Sequence, residues 1–130
     1  MLFRSNIYLP IKQATISDGN WEASHDAISY LISSPVPGEK GNSILYGHNW
    51  PNLLGNLPKV KPGQNIEIIF NNGTRSVFTV VYTSVVNPDQ THILNDSQDN
   101  RITLYTCTGF LDRKRFVATA VLQENQETSN

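Results

Sequence analysis

The chain has 130 residues, 38% of them apolar, and its 10 Lys and Arg against 11 Asp and Glu leave a net charge of −1. That size points to one domain with a real core, and the charge balance gives no general attraction to nucleic acid or anionic lipid. A single cysteine excludes both an internal disulfide and a cysteine-rich zinc site, and no stretch carries the roughly 18 apolar residues needed to span a bilayer or a signal-peptide pattern.

Period-2 alternation dominates, which is the pattern of strands. Residues 5–9 form a short predicted strand ending at Pro10, residues 12–16 a second ending at Ser17-Asp18-Gly19-Asn20, and residues 27–32 a third. The Pro- and Gly-rich stretch 33–41 is a loop. Residues 42–47 are apolar and β-prone, so they read as a buried strand. A short helix is expected over 51–57, with Pro51 in its first turn. Lys61-Pro62-Gly63 marks a turn, 64–70 a strand, and Asn71-Asn72-Gly73 a hairpin, since Asn and Gly tolerate positive φ. Residues 74–86 form one long strand or two with a bend, and Asn87-Pro88-Asp89 opens a helical turn running to Leu94. The last two strands cover 101–106 and 115–123. Together these predict an all-β fold in a single domain over 1–130, with 5–123 as the folded core and 124–130 as a polar tail. The hairpin signals favour a mixed or antiparallel sheet over a parallel one.

Cys107 is the most informative residue. A free cysteine is most often inert core, but this one ends a strand beside Thr108-Gly109, where a loop can expose it. His48 follows Gly47 at another strand end, a place where rigid elements present side chains to a cleft. His25, in a polar stretch, and His92, in the turn after Asp89, compete less well for the same role. Eight residues after Cys107 stands Arg115, in the run Arg113-Lys114-Arg115. Alternation puts Arg113 and Arg115 on one face and Lys114 on the other, which leaves the choice between the two arginines open. A nucleophilic thiol, an imidazole and an anion-stabilising group, here a guanidinium, are the three parts that nucleophilic cysteine catalysis uses.

These residues resemble the sortases, cysteine transpeptidases that attach proteins to bacterial cell walls or assemble pili. Thr103-Leu104-Tyr105-Thr106-Cys107 matches the family's TLxTC signature, and Asn42 to Asn49 resembles its histidine-bearing segment. Ile7-Tyr8-Leu9-Pro10 resembles the opening strand, Trp21 the tryptophan that often follows it, and Arg115-Phe116-Val117 the arginine strand. Lys12-Gln13-Ala14 departs from the pattern, lacking the glycine usual between the first two strands.

The resemblance implies an eight-stranded sortase-type β-barrel with one or two short helices. It implies that Cys107 attacks the threonine carbonyl of an LPxTG-like sorting signal, and that an amine resolves the thioacyl-enzyme. His48 would move the protons, and Arg115 would hold the oxyanion or the peptide backbone. Thr106 would orient substrate or thiolate, and Val85, Val86, Ile93 and Leu94 would wall an apolar groove. The implied partners are the sorting-signal peptide of a surface protein and an amine acceptor, a cell-wall precursor or a pilin lysine, with cell-wall anchoring favoured. The carboxylates Glu67, Asp89, Asp96 and Asp99 are scattered and form no calcium-type ligand series. No metal and no cofactor are expected, and no nucleic acid. The enzyme is expected outside the cytoplasm at the bacterial surface, held by an N-terminal membrane anchor that is absent from this chain, with Met1 marking an artificial start or the remnant of a removed anchor. Two other readings compete: a Cys-His peptide hydrolase, and a non-catalytic peptide-binding barrel in which Cys107 is inert.

Overall fold

The computed structural model describes residues 2–3, 7–17, 20–21, 24, 26–49, 53–87, 89, 95–108 and 113–123. Among these the strands in chain order are β1 (Leu2–Phe3), β2 (Ile7–Tyr8), β3 (Ile11–Ala14), β4 (Ile16–Ser17), β5 (Asn20–Trp21), β6 (Ile28–Leu31), β7 (Gly41–Tyr46), β8 (Asn65–Ile69), β9 (Arg75–Val86), β10 (Asn100–Thr108) and β11 (Lys114–Leu122). Nine of them form one sheet in the order β2-β1-β8-β9-β11-β10-β7-β6-β3, and β4 pairs with β5 as a separate ribbon.

The connectivity forces this sheet to curl. Its two edge strands, β2 and β3, are joined only by Leu9-Pro10. Nine strands laid flat would separate the edges by about 38 Å at ~4.8 Å per strand. The three Cα–Cα steps from Tyr8 to Ile11 reach at most about 11 Å. The sheet therefore rolls round into a barrel-like shape, the form that the family resemblance implies, with nine strands in the sheet. It is mixed: β7 with β10 and β3 with β6 are parallel, and the other pairs are antiparallel.

Inside the roll, Ile28, Leu45, Ile66, Ile68, Phe78, Val80, Ile102, Leu104, Phe116, Ala118 and Ala120 form the main core with Leu53, Leu54 and Leu57. A second, smaller cluster of Ala14, Leu31, Ile44 and Tyr46, with Tyr105 against it, covers the outer face near β7. β7 is buried at all six positions, and the two clusters explain why its second half is covered on both faces instead of alternating. Leu45 belongs to the inner core, while Ile44 and Tyr46 belong to the outer cluster.

Local chemistry sets several boundaries. Gly73 takes φ +90° in the β8–β9 turn, where the Phe70 N–H donates to the Thr74 carbonyl at 2.8 Å. That is a three-residue hairpin loop with glycine at its left-handed position. β9 is one continuous strand. Its register against β11 slips where Thr119 faces Tyr82 and Ala120 faces Val80, so Val81 is the extra residue of a bulge. The helix expected over 51–57 differs: residues 53–56 form turns, and a 3-10 turn follows at Leu57–Lys59, closed by the Val60 N–H on the Leu57 carbonyl at 2.9 Å. Pro58 inside that turn supplies no N–H with which to extend a helix from the preceding residues. Most of the turn expected after Asn87 lies outside the described residues, as do residues 50–52 and 124–130. Among the described residues no helix is long and apolar enough to cross a membrane.

Candidate active site

The site is built on the end of the parallel pair β7–β10 and on the hairpin β10–β11. Thr103 faces Ile44, Leu104 faces Leu45 and Tyr105 faces Tyr46. The Tyr46 and Tyr105 rings stack with centroids 5.6 Å apart. His48 comes two residues after Tyr46, and Cys107 two residues after Tyr105. The parallel strands thus bring the chain to both candidate residues from the same side.

The backbone at His48 is held on several sides. The Thr106 hydroxyl donates to the Gly47 carbonyl at 2.7 Å. The Gly47 N–H donates to the Tyr105 carbonyl at 3.4 Å, and the Leu54 N–H donates to the His48 carbonyl at 3.0 Å. Gly47 lies close against the core: a Cβ there would stand 3.3 Å from Ile28 Cδ1 and 3.4 Å from Leu54 Cδ1. His48 itself is half-buried.

On the other side of β10, Cys107 is the backbone partner of Arg115, and Arg115 in turn is the partner of Val86 on β9. These three residues lie in one row across adjacent strands. Arg115 is half-buried, and its Nη1 donates to the Lys114 carbonyl at 3.1 Å. Arg113 precedes β11 and is exposed. The register therefore separates two arginines that alternation alone left equivalent.

The remaining sequence candidates distribute as follows. Thr106 is 2% exposed and its hydroxyl is committed to Gly47, so here it ties two strands together and offers no open surface to a substrate. Val86 is buried, and its neighbour Val85 is 57% exposed. Ile93 and Leu94 lie outside the described residues, as do the competing His25 and His92.

The family model of the Sortase domain matches residues 4–123. The chain belongs to the sortase family. It is 33% identical over 82 residues to sortase A of Bacillus anthracis, a match covering 60% of this chain and 39% of that protein. With sortase A of Listeria monocytogenes it shares 32% identity over 92 residues, covering 68% of this chain and 41% of the relative. The solved structure of Listeria monocytogenes sortase A superposes with a TM-score of 0.74 at 29% identity, over 92% of this chain and 81% of that one. The chain spans about two fifths of the length of the curated relatives it matches.

Two features of this sortase domain were not read from the sequence. One is the Tyr46–Tyr105 stack, which alternation could have signalled, since each tyrosine precedes a candidate residue by two. The other is a bond from the Thr103 hydroxyl to Asn42 Oδ1 at 2.6 Å, between buried residues 61 positions apart. No local pattern points to it.

Proposed function

We propose that this sortase domain is a cysteine transpeptidase that cleaves an LPxTG-like sorting signal and passes the acyl group to an amine, for anchoring of surface proteins to the bacterial cell wall. The Cys107 thiolate attacks the threonine carbonyl, forming the C–S bond. The oxyanion is held by the Arg115 guanidinium, whose fixed fork of donors suits it. The tetrahedral intermediate collapses with loss of the C-terminal amine, which takes its proton from the His48 imidazolium. An incoming amine then attacks the thioester, gives its proton to His48 and releases Cys107. Val86, Ile93 and Leu94 contribute the substrate wall, and Thr106 holds the backbone from which Cys107 acts. Acyl transfer at a thiol requires no cofactor.

The observation that carries this reading is the register. β7 and β10 run side by side to the Tyr46–Tyr105 pair, with His48 and Cys107 two residues beyond it, and β11 sets Arg115 as the backbone partner of Cys107. The test is to mix the protein with LPxTG-like peptides and an excess of glycine or lysine amines, and to follow products by mass spectrometry beside a Cys107→Ala control. An amide-exchanged product absent from the control supports the proposal. Cleavage with no exchange makes the domain a hydrolase, and no Cys107-dependent product at all rejects it.

A further inference from the structure

Each of the two peptide groups that flank the His48 Cα is held by a hydrogen bond to its carbonyl. The Gly47 carbonyl accepts from the Thr106 hydroxyl at 2.7 Å, and the His48 carbonyl accepts from the Leu54 N–H at 3.0 Å. A peptide group is planar, so the backbone at one residue turns only about φ and ψ. Holding both flanking groups therefore fixes both angles at His48. The rotamers open to a side chain depend on φ and ψ, so these two bonds narrow the directions the imidazole can take. The donors come from different parts of the fold: Thr106 lies on β10, and Leu54 on the turns that follow His48. Leu54 is 0% exposed and belongs to the main core. Its side chain also supports Gly47, where an added Cβ would stand 3.4 Å from Leu54 Cδ1 and 3.7 Å from its Cγ. The Leu54 carbonyl in turn accepts from the Leu57 N–H at 3.0 Å, and the Leu57 carbonyl from the Val60 N–H at 2.9 Å. All three side chains are buried in that core, so the bond to His48 is rooted in it.

We propose that Leu54 is a positioning residue for His48. Its buried side chain anchors the turn in the core, and its N–H holds the second peptide group of His48 while Thr106 holds the first. The kinetic consequence rests on the reading of His48 as acid and base in acyl transfer. Proton transfer needs hydrogen-bond reach between the imidazole and the reacting amine, and a misplacement of about 1 Å can cost about 10²-fold in rate. Any residue but proline supplies the N–H. Leucine adds the apolar mass that keeps that N–H in place, so truncating the side chain loosens the bond without removing the donor.

The test compares Leu54→Ala, Leu54→Val, Leu54→Met and Ile66→Ala with the parent. Leu54→Val is the milder truncation and decides the question where the alanine variant does not fold. Leu54→Met conserves side-chain volume. Ile66 is equally buried in the same core but stands on β8, so Ile66→Ala controls for a general loss of packing. NMR reads amide exchange at residue 54 and the imidazole resonances of His48, assigned by their loss in His48→Gln. In the parent, the residue-54 amide should be protected and His48 should give one sharp set of resonances. In the two truncations that amide should exchange at least about tenfold faster, and the His48 resonances should broaden or split. Leu54→Met and Ile66→Ala should keep the His48 resonances of the parent. For an LPxTG-like peptide, kcat should fall about tenfold or more in the truncations with KM within about twofold, because proton transfer acts in the transition state. An unprotected residue-54 amide in the parent overturns the anchor, as do unchanged His48 resonances in the truncations or equal broadening in Ile66→Ala. Broadened resonances with an unchanged kcat overturn its part in catalysis. A parent protein with no turnover refutes the transpeptidase reading alone, because the amide and imidazole signals still decide for or against the anchor.

Discussion

The rings of Tyr46 and Tyr105 stack at 5.6 Å and 23° on adjacent parallel strands, each two residues ahead of a candidate catalytic residue. Their pairing couples the end of β7 to the end of β10 just before His48 and Cys107. A double-mutant cycle of Tyr46→Ala and Tyr105→Ala, read by urea denaturation, should return a coupling of about 0.5–1.5 kcal/mol beyond the two burial losses. Tyr46→Ala should be the costlier single change, at about 3 kcal/mol, because Tyr46 is buried and Tyr105 only half-buried. A coupling near zero would reduce the stack to independent burial.

The two arginines should differ sharply. Arg115→Ala is expected to lower kcat/KM for an LPxTG-like peptide by about 10²–10³, the range for removing one oxyanion-stabilising donor. Arg113→Ala should leave it within about threefold, since Arg113 is exposed and precedes the strand that pairs with Cys107. His48→Ala should cost about 10²–10⁴ in kcat. Circular dichroism of each variant shows whether the fold is retained, and equal losses at Arg113 and Arg115 would contradict the assignment.

Two buried hydroxyls make opposite predictions. Thr106 donates to the Gly47 carbonyl at 2.7 Å, so Thr106→Val should cost about 1–3 kcal/mol by leaving that carbonyl short of a partner. The Ser43 hydroxyl is buried and has no hydrogen-bond partner among the described residues. Ser43→Ala should therefore be neutral or stabilising by about 0.5 kcal/mol. Urea denaturation of both variants checks the contrast.

Asp99 and Arg101 form a two-pronged ion pair, with both N···O distances at 2.8 Å. The hydrogen bonds from Arg101 hold the Asp99 carboxyl below its ordinary value of 3.8. A carboxyl lowered in the folded state stabilises fully above that ordinary value, and the contribution is lost as pH falls through the folded-state pKa. The pair is partly exposed, the Asp99 side chain 40% and the Arg101 side chain 30%, so Asp99→Asn should cost only about 0.5 kcal/mol at pH 7. Denaturation curves of parent and variant should converge in acid below pH 3.8, and also at high salt. A difference that grows on acidification would reverse the sign and refute the assignment.

Much of the architecture was legible because it is written locally. Gly73 and its two preceding asparagines marked the β8–β9 hairpin, and the alternation in 101–106 marked β10. A helix over 51–57 is what Pro51 suggests locally, but the chain instead forms a 3-10 turn at Leu57–Lys59, where Pro58 lacks the N–H that would continue a helix from the preceding residues. The bulge at Val81 was invisible, since it is a mismatch with β11 and no property of β9 alone.

By itself the sequence determined the all-β class, most strand positions and the TLxTC and histidine-bearing motifs. Side-chain periodicity, turn chemistry and short motifs all act within a few residues of one another. Only the tertiary structure decided the parallel pairing of β7 with β10, the closure of the sheet through Leu9-Pro10, the choice of Arg115 over Arg113 as the backbone partner of Cys107, and the bond from Thr103 to Asn42. Each of these depends on register between segments far apart in the chain, where a shift of one residue would turn every side chain to the opposite face.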